Sequence, residues 1–177
     1  MSKQGTSKIR DEVLAANATY ASNFGDKAKL ALPPARRFAI LTCMDARIDP
    51  LRALGLEEGD AHVLRNSGGR PTIDVVRSIA VSQEMLGTRE IVVIHHTECG
   101  SVRITNDSIR QRLTESLGSD GGRAAGEIDF LPFTDLEQSV RDDMAILKSS
   151  PLLRPETEIS GFIFDVKTGR LQQVDPT

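Results

Sequence analysis

The run Glu90-Ile91-Val92-Val93-Ile94 constrains this chain more than any other segment. Continuous apolar residues without polar alternation fit a strand covered on both faces, the signature of a parallel sheet packed between helices. Phe38-Ala39-Ile40-Leu41-Thr42 is a second run of this kind. His62-Val63-Leu64 is a weaker third, bounded by Gly59-Asp60 and by Asn66-Ser67-Gly68-Gly69.

Helices are expected between the strands. Pro71 and Thr72 open one that carries Ile73, Val76, Ile79, Ala80 and Leu86 on an apolar stripe, with Gly87 placed to stop it. A helix is expected near 105–117 from Ile109, Leu113 and Leu117, with a Gly- and Asp-rich loop over 118–130. Thr134-x-x-Glu137 reads as a capping box for a helix whose Leu136, Val140, Met144 and Leu147 form one face. Gly161 to Val166 reads as a further strand, with Lys167-Thr168-Gly169-Arg170 turning into a hairpin partner from Leu171 to Val174. Upstream, Ile9, Val13, Ala16 and Tyr20 recur at helical spacing, and a loop from Gly25 to Arg37 containing Pro33-Pro34 follows. The expected fold is therefore α/β: a mostly parallel central sheet flanked by helices, with an N-terminal helical arm and a C-terminal hairpin strand.

The formal net charge of -3 gives no reason to expect nucleic acid or an anionic membrane as partner. No apolar run is long enough to span a bilayer, and Met1 to Lys8 lacks the apolar centre of a signal peptide, so a cytoplasmic location is expected. In a reducing compartment, two cysteines are more often ligands, catalytic groups or buried residues than a disulfide.

Ligands in open α/β sheets bind outside the carboxyl ends of the strands. Cys43 follows the strand ending at Thr42, and His96 and Cys99 follow the strand ending at Ile94. Two strand ends thus bring Cys, His and Cys to one edge of a sheet. Zn²⁺ takes thiolate and imidazole in a tetrahedral shell, and three protein ligands with an open fourth position make a catalytic arrangement. Asp45 and Arg47 follow Cys43 by two and four residues. An Asp beside a metal-bound hydroxide can accept its hydrogen bond, and an Arg can hold that Asp ionised.

Cys43-Met44-Asp45-Ala46-Arg47, Arg65-Asn66-Ser67-Gly68-Gly69 and His96-Thr97-Glu98-Cys99-Gly100 together resemble the β-class carbonic anhydrase pattern in order and spacing. The resemblance is close over residues 37 to 104. It implies zinc held by Cys43, His96 and Cys99, with Asp45 and Arg47 as the catalytic dyad. It also implies reversible hydration of carbon dioxide to bicarbonate and a proton. A homodimer or higher homo-oligomer is implied as well, with the N-terminal helix packing on the partner. The chain then divides into an arm, 1–36, and an α/β zinc-binding catalytic domain, 37–177. Met44 and Ala46 stand where serines are common in the family, and His95 where a Gly is common, so the pocket lining departs from the pattern.

Two bland readings stand beside these. Cys43 and Cys99 could be buried apolar residues or a disulfide. A phosphatase loop fails, because it needs Arg six positions beyond the cysteine, where this chain has Asp49. His95 and His62 read as structural, Gly68-Gly69 as a backbone turn and Glu98 as a solvated charge. The alternative function is hydrolysis of carbonyl sulfide or carbon disulfide on the same scaffold. Two thiolates neutralise Zn²⁺ where three imidazoles would leave its charge intact, so activity is expected to rise with pH, with an apparent pKa somewhat above about 7.

Overall fold

The computed structural model describes residues 8–176 and divides the chain into two compact units, with the boundary between Ala31 and Leu32. The first unit carries α1 (Ile9–Ser22), whose first turn contains Asp11 and Glu12, favourable at a helix N-terminus. Its span matches the periodicity. A 3-10 turn at Gly25–Lys29 replaces part of the expected loop, closed locally by Lys29 on Asp26 at 2.6 Å. Met1 to Ser7, most of the polar segment read for a leader, lie outside the described residues.

The second unit is built on β1 (Phe38–Cys43), β2 (Ala61–Asn66), β3 (Glu90–His96), β4 (Glu158–Phe164) and β5 (Leu171–Val174). They form one sheet in the order β2-β1-β3-β4-β5. β1 lies parallel to β2 on one side and to β3 on the other, β4 is parallel to β3, and β5 is antiparallel to β4. The expected mostly parallel sheet with a terminal hairpin is what the chain forms.

Side-chain alternation divides the core between the two faces. Leu41, Ile91, Val93 and Ile163 point to one face and pack with Val75, Val76 and Ile79 of α3 (Ile73–Leu86) and with Val140, Met144 and Leu147 of α5 (Leu136–Ser149). Ile40, Ile94 and Phe164 point to the other, with Ile48, Leu56 and Phe133. α5 packs tightly over Gly161 of β4: a Cβ there would lie 2.6 Å from the Val140 side chain and 2.7 Å from the Met144 sulfur, so any larger residue would force these side chains to shift.

Four local expectations are corrected. Ile73 does not belong to the buried stripe: at the first turn of α3 it is 77% exposed, and Val75 takes its place. Residues 118–126 are not loop, because α4 (Asn106–Gly126) breaks at Gly118 (φ 76°, ψ -170°) and then resumes, burying Ala125. The cap of α5 is Asp135, accepting from the Gln138 amide at 2.9 Å, rather than Thr134. β4 runs from Glu158 to Phe164; it starts earlier than expected, and it ends earlier because the Asp165 carboxylate already accepts from the Lys167 and Thr168 amides and turns the chain. The sequence also held an unread short helix, α2 (Pro50–Ala53), with Asp49 as its cap and Pro50 at its first position.

Candidate metal centre

β1 has neighbours on both sides, reached by connections that run in opposite directions, so the sheet has its switch point between β1 and β3. Loops diverge there and leave a crevice at the carboxyl ends. Cys43 ends β1, His96 ends β3, and Cys99 sits in the turn beyond. Their Sγ, imidazole nitrogen and Sγ atoms lie within 4.8 Å of one another, and all three residues are buried. The sulfurs are 4.0 Å apart and both thiols are free. The turn from His96 back to Cys99 requires a left-handed residue. Glu98 supplies it at φ 57°, an uncommon conformation for a side chain of this kind that is typical of functional turns.

The donor set fits zinc. His96 Nδ1 donates to the Thr97 carbonyl at 2.9 Å, which leaves Nε2 as the bare lone pair. That atom is buried and has no hydrogen-bond partner. A lone pair left unsatisfied beside two thiols is costly without a ligand and natural with one. The thiols support this reading. A hydrogen bond from Cys99, and lesser ones from the Asp45 and Gly68 backbone, hold Cys43 down to about 4 despite burial. The same contact and burial push Cys99 well up.

Asp45 Oδ2 lies 3.8 Å from His96 Nε2. Arg47 holds the carboxylate from behind, Nε to Oδ1 at 2.9 Å and Nη2 to Oδ2 at 2.7 Å, with its own amide on Oδ1 at 2.9 Å. These bonds keep Asp45 well below the usual carboxylate range. Arg47 Nη2 also reaches the Glu98 carbonyl at 3.3 Å, and Glu98 pairs with Lys167 at 2.5 Å. Glu98 is therefore more than a solvated charge: its turn ties the Arg to the ligand loop.

Backbone support comes from the segment after β2. Gly69 (φ 71°) lies so close to β1 that a Cβ would come within 2.9 Å of the Cys43 nitrogen. Arg65 Nε donates to the Cys43 carbonyl at 3.0 Å and Nη2 to the Asp45 carbonyl at 2.7 Å. The sequence showed Arg65 only as part of a motif. Its position near a strand's carboxyl end was the available signal. Over the site opens a cavity of about 430 Å³, whose lining includes the apolar Met44, Ala46 and Ile104 and the polar Ser67 and Ser101.

The remaining histidines face away. His62 Nδ1 meets the Ser82 hydroxyl at 2.6 Å. His95, one residue before His96, points to the opposite face of the sheet, where it meets Ser139 and Asp143 of α5.

A family model described as carbonic anhydrase matches residues 38–171. Beta-carbonic anhydrase 1 of Mycobacterium tuberculosis is 42% identical over 168 residues, covering 95% of this chain and 99% of that protein. The chain belongs to the β-carbonic anhydrase family. A solved carbonic anhydrase from Glaciozyma antarctica superposes with a TM-score of 0.88 at 44% identity, covering 99% of this chain and 100% of that one. The β-carbonic anhydrase family reaches into other chemistry too: a carbon disulfide hydrolase of Saccharolobus solfataricus is 34% identical, covering 80% of this chain and 79% of that protein. The metal of β-carbonic anhydrases is zinc, the ion that the Cys43, His96 and Cys99 donors suit.

Proposed function

We propose that this protein catalyses reversible hydration of carbon dioxide to bicarbonate and a proton, with zinc held by Cys43, His96 and Cys99 and with Asp45 and Arg47 as the catalytic dyad. One observation carries the reading. The bare, buried Nε2 of His96 converges with two free thiols on a point that the Asp45 carboxylate also faces. Zinc, when bound, lowers the pKa of water from about 15.7 toward about 7 and so makes a nucleophile available at neutral pH.

The chain's own residues do the rest. Asp45 is ionised and can only accept, so its Oδ2 takes the hydrogen bond of the attacking O–H group and aims the free lone pair into the cavity. Arg47 fixes that oxygen in place through its bidentate grip. Among the cavity's lining residues, Met44, Ala46 and Ile104 suit a small linear apolar molecule, and Ser67 and Ser101 offer hydroxyls to a charged product.

We place the protein in the cytoplasm as a homodimer or higher homo-oligomer. Two neighbouring thiols left free suit a reducing compartment, and among the described residues no helix is long and apolar enough to cross a membrane. Ile9, Val13 and Leu14 of α1 are exposed and available to a second chain.

Stopped-flow CO₂ hydration on protein of measured zinc content tests the activity. Fast turnover that is lost on chelation and restored by zinc supports it. Turnover of carbonyl sulfide or carbon disulfide, with none of CO₂ at alkaline pH, would transfer the assignment to the hydrolase relatives.

A further inference from the structure

Behind the metal centre, on the opposite face of the sheet, lies a buried ionic network that the proposed chemistry does not use. Asp143 of α5 has no solvent exposure. Its Oδ2 meets His95 Nε2 at 2.9 Å, and its Oδ1 meets Arg70 Nη2 at 3.0 Å. The Ser139 hydroxyl donates to the Leu136 carbonyl at 2.7 Å, so it serves His95 Nδ1 as acceptor, also at 2.7 Å. Phe133 stacks on the His95 ring, centroids 5.4 Å apart, and lies 5.5 Å from the Arg70 guanidinium.

Such a network is a weak source of stability, since apolar side chains of similar volume often serve a core as well or better. Its connections suggest a different use. Arg70 directly follows Gly69, the residue pressed against the Cys43 nitrogen, and its amide and carbonyl both bond the Asn66 side chain at 2.7 Å. Asn66 is in turn the strand partner of Cys43. His95 directly precedes His96. The Phe133 amide donates to the carbonyl of Ser101, two residues beyond Cys99. All three ligand-bearing segments are therefore held by one cluster, and its hub is a carboxylate far away in sequence. Arg70 Nε and Nη1 have no hydrogen-bond partner among the described residues, so without Asp143 the buried guanidinium would lose its ionic anchor and shift.

We propose that Asp143 is a positioning residue for the metal centre: through His95 and Arg70 it fixes the relative placement of the Cys43, His96 and Cys99 segments. The inference rests on the ligand set proposed above. Direct hydrogen-bond partners of zinc ligands are worth about 10- to 100-fold in metal affinity, and Asp143 acts one contact further out, so its effect belongs at the lower end of that range.

The test uses the full chain loaded with zinc, and separately with cobalt(II), in the unmodified form and as Asp143→Asn and Ser139→Ala. Loss of zinc to excess chelator should be about tenfold faster in Asp143→Asn, with shifted thiolate and d–d absorption bands of bound cobalt. Ser139→Ala, which removes the acceptor of His95 together with the bond to the Leu136 carbonyl but leaves Asp143 in place, should move both readouts in the same direction by less. A folded Asp143→Asn with unmodified rates and bands overturns the proposal, even if its melting temperature falls, because that pattern is purely structural. Should Asp143→Asn fail to fold, Ser139→Ala decides by the same two readouts. Zinc content of Cys43→Ser, measured in parallel, tests the ligand set separately: full zinc there overturns the premise, whatever the Asp143 variant does.

Discussion

Arg47 meets Asp45 fork to fork, Nε on Oδ1 at 2.9 Å and Nη2 on Oδ2 at 2.7 Å, and leaves Oδ2 3.8 Å from His96 Nε2. Cys43, Asp45 and Arg47 fall within five consecutive residues, so one short loop brings together a candidate metal ligand, a carboxylate and the guanidinium that steadies it. Arg47 is 46% exposed at its side chain, and ion pairs that open to water add little to stability. What the contact provides is direction: a carboxylate that is always ionised and always aimed the same way.

That assignment predicts separable losses. Asp45→Asn should keep one zinc per chain, because the Cys and His donors remain, while kcat for CO₂ hydration falls about 10²-fold or more through loss of the acceptor. Arg47→Lys replaces a planar fork by a point charge and should lose activity, with zinc content again unchanged. Metal analysis beside stopped-flow assays distinguishes these from a ligand mutation. Full turnover in Asp45→Asn would remove Asp45 from the mechanism.

A second prediction compares two glycines of identical backbone twist. Gly69 and Gly169 both have φ 71°, but a Cβ at Gly69 would lie 2.9 Å from the Cys43 nitrogen and from the Thr42 carbonyl carbon, while Gly169 faces open space. Gly169→Ala should incur only the conformational strain, about 1 kcal/mol, with unchanged zinc binding. Gly69→Ala adds a backbone clash that no side-chain rotation relieves and should cost about 3 kcal/mol or more, with weakened zinc binding. Urea midpoints at constant m-value measure the difference. Equal losses in the two variants would show that β1 yields freely at Cys43.

How legible this molecule was depended on how local each signal is. Ile91 to Ile94 announce a buried parallel strand, and residues just past strand ends are where such sheets place their chemistry, so Cys43, His96 and Cys99 were readable as one site. The Asp45–Arg47 pair was readable because both partners lie on one loop. Asp143 was not, since its partners His95 and Arg70 are 48 and 73 residues away in sequence. It did leave a trace: it interrupts the apolar stripe of α5 between Val140 and Met144, and a charge at such a position must be paired. The capping box at Thr134 failed against Asp135, an equally good cap one residue later. The Gly118 break was real but local, and composition alone could not show that the helix resumes beyond it.

The last prediction concerns the thiols. Without metal, Cys43 is lowered to about 4 by its contact with Cys99, and Cys99 is raised by the same contact and by burial. At neutral pH the pair therefore holds one proton, on Cys99. Zinc takes both sulfurs as thiolates, so loading must displace that single proton. Between pH 7 and 8, above the ordinary imidazole range of about 6.5, zinc affinity should rise about tenfold per pH unit. Two ordinary thiols near about 8.5 would instead both be protonated at pH 7 and give a rise approaching a hundredfold. Chelator competition at several pH values, with calorimetry in buffers of different ionisation enthalpy, counts the protons directly. A value near two, taken with a saturating anion present so that no metal-bound water adds a proton, would mean that Cys43 is an ordinary thiol before the metal arrives. A value near one would show that the thiol pair has given up one of its two protons before the metal arrives.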